Sequence, residues 1–383
     1  MADMQNKRIR LGMVGGGNDA FIGGVHRIAA RIDDRFELVA GALSSTPEKS
    51  AASAQALGIP RSYGSFSEMA EAEAARDDGI EAVSIVTPNH VHFAPAAAFL
   101  EKGIHVICDK PLTSTMADAA AMEKAIADSD ALFVLTHNYT GYPMIRQARA
   151  MIAAGDLGTI RIVNAEYVQD WLTDSLENEG LKQAEWRTDP TRSGAGGAVG
   201  DIGTHAHNLA CFVTGLTVEK LAADLQAFGA GRSLDDNGHV MLRFNGGARG
   251  LLWCSQVAPG NENGLKLRIY GEKGGLEWHQ ENPNLLWFTP HGEPKRLITR
   301  NGAGAGAAST AVSRIPAGHP EGYLEGFATI YNEAADAIRA VQGGADRATA
   351  MGVLPGITAG MDGMRFINGC VTSSAQDAAW VTL

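Results

Sequence analysis

Cysteine is scarce in this chain, with four residues (Cys108, Cys211, Cys254 and Cys370) among 383. None falls in a C-x-x-C spacing and all lie in apolar stretches, so neither a disulfide framework nor a zinc knuckle is predicted. A reducing cytoplasm is the expected compartment. Positive charge is neither abundant nor clustered: 32 Lys and Arg stand against 43 Asp and Glu, a formal net charge of -11. That balance argues against nucleic acid and anionic membranes as partners. Long apolar runs are missing too. Leu132 to Leu135 is strand length, far short of the ~20 residues of a membrane-crossing helix. Met1 to Arg10 is polar and has no apolar signal-peptide core. These absences leave an acidic protein suited to small soluble substrates.

What is present has two characters. Up to residue 136, short β-branched runs alternate with Ala-rich helical stretches, the pattern of a parallel sheet with crossover helices. Strands are predicted at Ile9 to Val14, Leu38 to Leu43, Ala82 to Val86, His105 to Cys108 and Leu132 to Thr136. After a helix at Pro143 to Ala154, about six longer strands follow between residues 159 and 279. Their turns, such as Asn245-Gly246-Gly247, are those of antiparallel hairpins. Asn301 to Ser309, rich in Gly and Ala, reads as a mobile tether, and two helices close the chain. The expected division is 1–136, a doubly wound α/β nucleotide-binding domain, and 137–383, an α+β domain with a large, mostly antiparallel open-faced sheet. The few helices of the second domain can cover only one face of that sheet, so a homo-oligomer, dimer or tetramer, is expected to cover the other.

The first strand runs into Gly15-Gly16-Gly17-Asn18-Asp19-Ala20 and then an Ala-rich helix. Gly15, Gly17 and Ala20 fit the G-x-G-x-x-G/A turn that brings backbone N–H groups to a pyrophosphate at a helix's positive end. A dinucleotide is therefore the expected cofactor, with Asn18, Ala20 and Phe21 at the head of the helix. The second strand ends at Ser44-Ser45, with Lys49 one turn on. No acid marks NAD there and no Arg marks NADP; the absence of Arg favours NAD. The remaining strand ends add Thr87, Pro88, Asn89 and His92, then Asp109 and Lys110, then Asn138. His90 and His92 mimic an H-x-H metal pair, but no further ligand lies close by and they read as a helix start; no metal is expected.

Lys110 before Pro111, at a strand end beside the expected cofactor, can hold a developing alkoxide. Asp201-Ile202-Gly203-Thr204-His205 sets a carboxylate and an imidazole four residues apart, on one face of a helix. Such a pair suits proton transfer from a hydroxyl. His207, two positions on, points elsewhere and reads as structural. Trp186-Arg187 offers a guanidinium either to vicinal hydroxyls or to Asp189. Tyr167, Gln169 and Trp171 alternate on one strand and share a face.

The Gly-rich first turn, Thr87-Pro88-Asn89-His90, Lys110-Pro111 and the D-x-G-x-H run resemble, in order and spacing, the glucose-fructose oxidoreductase / inositol dehydrogenase / rhizopine catabolism (Gfo/Idh/MocA) family. Asp109 departs from the Glu that many members carry before the lysine. The resemblance implies a Rossmann domain, an oligomer-forming sheet domain, and nicotinamide-dependent oxidation of a hydroxyl on a cyclic polyol or sugar such as an inositol, a hexopyranose or an anhydrosugar. It implies that Lys110 polarises the reacting oxygen, His205 takes its proton and Asp201 orients both. It adds Arg187 and His319, in the run Gly318-His319-Pro320, as substrate contacts; Gln169 is a candidate by residue type, since sugar sites combine aromatic platforms with amide donors, and an interface stripe reads the same way. The competing readings are a redox-neutral glycosidase or epimerase that retains its NAD, and a non-catalytic NAD-binding regulator.

Overall fold

The computed structural model describes residues 7–383; of the polar stretch at Met1 to Arg10, residues 1–6 lie outside the described residues. The chain packs as two compact units. One comprises residues up to Asn138 with Leu324–Met361, the other Tyr139–Tyr323 with Asp362–Leu383. The division expected from the sequence differs in one segment: Leu324–Met361 joins the first unit.

The first unit is built on six parallel strands in the order β3-β2-β1-β4-β5-β6. They are β1 (Ile9–Gly15), β2 (Phe36–Ala42), β3 (Arg61–Ser62), β4 (Ala82–Val86), β5 (His105–Cys108) and β6 (Phe133–Leu135). This is the doubly wound order that binds dinucleotides at the carboxyl ends of its strands. Every residue of β4, β5 and β6 is buried, as a parallel sheet covered on both faces requires. Two crossover helices start on capping hydroxyls: Ser65 and Thr115 each accept from the N–H three residues on, at 3.1 Å. The returning segment completes the cover. Its Tyr331 hydroxyl meets His26 Nδ1 at 2.8 Å and Ser84 Oγ at 2.7 Å inside the unit, Arg339 pairs with Glu81 at 2.7 Å, and Pro355 accepts from Leu135 N. Burial holds His26 down at about 4.

The second unit carries nine strands rather than about six, in the order β14-β13-β12-β11-β7-β10-β9-β8-β15. They are β7 (Ile160–Val168), β8 (Val218–Gln226), β9 (Asn237–Phe244), β10 (Arg249–Ser255), β11 (Gly264–Gly271), β12 (Gly274–His279), β13 (Leu285–Pro290), β14 (Arg296–Thr299) and β15 (Val381–Thr382). All described pairs are antiparallel except β7 with β10. Helix Thr204–Thr214 packs on β7, β10 and β11, and helix Pro143–Ala153 on β12 and β13. The edge strand β8 is blunted beyond β15 by Ser373 and Ser374, whose hydroxyls accept from Ala223 N and Leu225 N. The opposite face is open, with Ile162, Met241, Leu251, Tyr270 and Leu297 all more than 40% exposed. The Gly/Ala stretch at 301–309 is folded rather than a bare tether. Gly306 N donates to Gln147 at 2.6 Å, Ala307–Thr310 forms a helical turn and Ser309 is fully buried, because residues this small let the backbone lie close on its neighbour.

Candidate active site

In the first unit, β1 ends in two glycines with positive φ, Gly15 at +76° and Gly16 at +69°. Helix Phe21–Ile32 then starts at Ala20 with no side-chain cap and no acidic residue in its first turn, so its positive end suits an anion. A Cβ on Gly17 would come within 2.9 Å of Leu43 O and Ser53 Oγ, and one on Gly23 would strike the Gly16 backbone. Close packing of helix on turn therefore falls to Gly23. The signal was a glycine pair inside a helix, which needs a packing reason. Arg27, also unforeseen, donates to Gly16 O from one turn further on.

Around this turn, Asn18 N reaches Ser53 Oγ at 3.4 Å, Phe21 is 69% exposed, Ser44 is half-buried, and Ser45 and Lys49 are exposed. Among the described residues at the other strand ends, buried polar atoms without a hydrogen-bond partner include Thr87 Oγ1 after β4 and Asn138 Nδ2 after β6. Orphaned groups at this rim, beside a glycine cradle and an uncapped helix, fit a dinucleotide. Pro88 leads into the turn Asn89–Val91, where Asn89 is buried.

His92 corrects the sequence reading. It is fully buried, with Nδ1 2.8 Å from Pro111 O and Nε2 3.0 Å from Thr87 O. Burial keeps the ring neutral, so its single N–H donates to one of these carbonyls, and His92 packs between the Thr87 loop and the Lys110-Pro111 loop instead of contacting a cofactor. Asp109 shapes the same loop, its Oδ1 accepting from Lys110 N and Thr136 Oγ1 at 2.9 Å each. The Lys110-Pro111 peptide is cis.

In the second unit, the D-x-G-x-H run does not open an ordinary α-helix. Val199–Gly203 is a turn of π-helix, and the α-helix begins at Thr204. Such wide turns recur at functional sites. Asp201 is clamped: Arg187 Nε and Gln256 Nε2 both donate to its Oδ2 at 3.0 Å. Arg187 itself lies over the Trp186 ring, 4.2 Å from its centroid. The alternative partner, Asp189, instead caps helix Pro190–Ser193 through Thr191 N. His205 is 8% exposed, with the ring of Tyr139 edge-on at 4.9 Å and that of Tyr167 at 6.0 Å.

Gln169 and Trp171 belong to a hydrogen-bond chain that ends on those tyrosines. Trp171 Nε1 donates to Gln169 Oε1 (3.0 Å), Gln169 Nε2 donates to Asn263 Oδ1 (2.9 Å), and Tyr167 donates to the same oxygen (2.8 Å). Tyr139 and Tyr167 hydroxyls are 2.6 Å apart. An indole N–H can only donate, so Trp171 fixes the amide of Gln169, which fixes that of Asn263. Tyr167 must then donate to Asn263, and Tyr139 to Tyr167. Gln169, expected to touch substrate, instead has both amide atoms engaged within the protein. Burial pushes the Tyr167 hydroxyl well up, with Tyr139 adding to the effect, so the chain stays protonated.

His207 is structural as expected: it stacks on Phe366 at 4.4 Å, and burial holds it down at about 4. His319 lies exposed on a loop whose backbone is gripped by Arg300, a buried side chain paired with Glu321 at 2.9 Å.

Two family models match this chain: the oxidoreductase family, NAD-binding Rossmann fold, over residues 9–137, and the GFO/IDH/MocA C-terminal domain over residues 145–277. The crystal structure of an oxidoreductase from Sinorhizobium meliloti is 61% identical, with TM-score 0.88 over 98% of this chain and 99% of its own. An inositol dehydrogenase homolog from Azotobacter vinelandii, complexed with NAD+, is 37% identical with TM-score 0.93 over 98% of both chains. The homolog has also been solved with NADH and myo-inositol, at 35% identity and TM-score 0.90 over 98% of both chains. The levoglucosan dehydrogenase of Pseudarthrobacter phenanthrenivorans is 30% identical over 74% of this chain and 76% of its own. With both halves matched, the strand order of its first unit and the D-x-G-x-H turn of its second place this chain in the Gfo/Idh/MocA family of NAD-binding oxidoreductases.

Proposed function

We propose that the chain oxidises a secondary hydroxyl of a neutral cyclic polyol or sugar, with an inositol the leading candidate and an anhydrosugar the next. The observation that carries this reading is the clamped Asp201 one turn before a buried His205, in a chain whose NAD-binding unit presents Lys110 at the end of β5. The inositol dehydrogenase homolog and levoglucosan dehydrogenase support the substrate class.

Bound NAD supplies the hydride acceptor. Gly15, Gly17 and the head of helix Phe21–Ile32, with Asn18, Ala20 and Phe21, hold the pyrophosphate region. Ser44, Ser45 and Lys49 flank the ribose, and Thr87, Pro88, Asn89, Asp109 and Asn138 line the strand ends. The lack of an Arg after β2 favours NAD over NADP. The Lys110 ammonium holds the reacting oxygen and stabilises its developing charge. His205 takes the hydroxyl proton, an imidazole being the base matched to neutral pH. Asp201 orients the substrate hydroxyl, with Arg187 holding its other side. His319 contacts the substrate from its exposed loop. The open, partly apolar face of the nine-stranded sheet is covered by further copies of the chain, as a dimer or tetramer in the cytoplasm, where four free cysteines persist.

The test is a panel of inositols, levoglucosan and common hexoses with NAD, read by accumulating NADH. Product from a cyclic polyol, abolished by orders of magnitude in Lys110→Ala with the fold intact, is the expected result. No NADH from any of these, or a fully active Lys110→Ala, overturns the reading. Accumulation itself separates a dehydrogenase from an enzyme that re-reduces its own product.

A further inference from the structure

We propose that Asp235 is a positioning residue for Asp201, anchoring the π-turn that carries the carboxylate through its backbone. This rests on the role assigned above to Asp201. Asp235 lies just before β9, 34 residues beyond Asp201 in sequence. Its Oδ1 accepts from Gly197 N at 2.7 Å, its Oδ2 from Val199 N at 2.8 Å, and its main-chain oxygen from Ala198 N at 2.8 Å. One residue thus satisfies three successive N–H groups at the start of the turn, where a helical segment leaves such donors unpaired. Gly197 has no room for a side chain, because a Cβ there would strike the Asp235 carbonyl.

Asp201 follows two residues after Val199. Arg187 and Gln256 hold its carboxylate from one end, and Asp235 fixes the backbone from the other. An Asn in place of Asp235, or a proton on it, sets a donor against one of these N–H groups, and the turn has to shift. Burial pushes Asp235 up to about 6, against the pull of its backbone N–H bonds. Among the described residues, the ionisable groups facing it offer no compensating cation. The Asp236 carboxylate is engaged by Arg232, Phe228 N and Gly229 N, and the thiols of Cys254 and Cys370 are pushed well up by burial and stay neutral. The anchor therefore weakens in mild acid.

Amide hydrogen exchange of a peptide covering residues 196–203, with residues 206–214 as internal reference, tests the anchor without needing activity. Turnover with NAD and myo-inositol tests its consequence. In Asp235→Asn the turn is expected to exchange faster by on the order of tenfold or more at neutral pH, with the reference unchanged. kcat falls by a similar factor while KM for NAD stays put. In the wild type, protection of the same peptide, corrected for intrinsic chemistry, falls as pH drops through about 6. Unchanged protection in Asp235→Asn overturns the anchor. Lost protection with unchanged kcat overturns the positioning role. Should the variant fail to fold, Gly197→Ala decides, because its Cβ would strike the Asp235 carbonyl; unchanged protection of the turn in that variant refutes the anchor. If the wild type makes no NADH, the functional reading fails by itself, and the exchange data still decide whether Asp235 holds the turn.

Discussion

Gly23 and Gly24 are adjacent glycines in one helix, and the same substitution is expected to act on them in opposite directions. Alanine at either site gains up to about 1 kcal/mol of helix propensity. At Gly24 that gain stands alone, since the nearest atom to a new Cβ is the tip of Arg27, 3.9 Å away. At Gly23 the new Cβ would overlap the Cα, carbonyl carbon and oxygen of Gly16. Those are backbone atoms of the glycine turn and cannot rotate aside, so the helix must retreat. Overpacking of this kind costs about 1–3 kcal/mol. It also moves the helix N-terminus away from the turn that it serves, and every 1.4 kcal/mol of lost binding is roughly tenfold in affinity. Gly23→Ala is therefore expected to lower Tm and weaken NAD binding about tenfold or more. Gly24→Ala leaves NAD affinity unchanged and holds or raises Tm. Calorimetric NAD titration and thermal melts of the two variants read both effects. Wild-type affinity with an undiminished Tm in Gly23→Ala would refute the assignment of Gly23 as the close-packing position.

Two further outcomes concern the chemistry and the stability. Asn263→Leu strands the Tyr167 proton and is expected to lower kcat/KM about tenfold by loosening the tyrosines beside His205. Asn263→Asp, which still accepts from Tyr167 and Gln169, should be milder; equal losses would discount the polarity that Trp171 imposes. The histidines His26, His105 and His207 are held by burial at about 4, below their ordinary 6.5. Their neutral forms stabilise the fold fully above pH 6.5, and that contribution is lost as pH falls towards 4, up to roughly 3 kcal/mol each. Asp235, raised to about 6, opposes them with a smaller proton uptake in the folded state. Urea midpoints should drop between pH ~7 and ~5, and a flat profile would count against neutral, buried imidazoles.

Periodicity made the parallel sheet legible because its strands are buried on both faces and separated by helical stretches. β3 escaped notice because two residues carry no alternation. β13, β14 and β15 lie at or near the sheet edges, where half-exposed sequences such as that of Leu285–Pro290 lose the strict two-residue pattern. The parallel pairing of β7 with β10 is a tertiary choice that no local signal encodes. Asp201, His205 and Lys110 stand out in the sequence by residue type and spacing, and Arg187 as a guanidinium with two candidate partners, whereas Gln169, expected at the substrate, is held by Trp171 and Asn263. The supports of Asp201 do not stand out. Gln256 and Asp235 act on Asp201 and on its turn from the ends of other strands, and a carboxylate that binds only backbone N–H groups leaves no motif. His92 misled for a related reason: a histidine at a strand end is a fair ligand candidate until its ring is found buried between carbonyls.

The return of residues 324–361 to the nucleotide-binding unit bears on how the molecule is made. Tyr331, Arg339 and Pro355 supply the partners of His26, Ser84, Glu81 and Leu135. These are contacts within one unit between segments separated by the whole of Tyr139–Tyr323. A ribosome that has released the six strands of the first sheet has not yet released the helix that covers Ser84. The cofactor half thus completes its cover only when nearly the full chain has been made, and a fragment cut after Asn138 lacks the partners of His26, Ser84, Glu81 and Leu135.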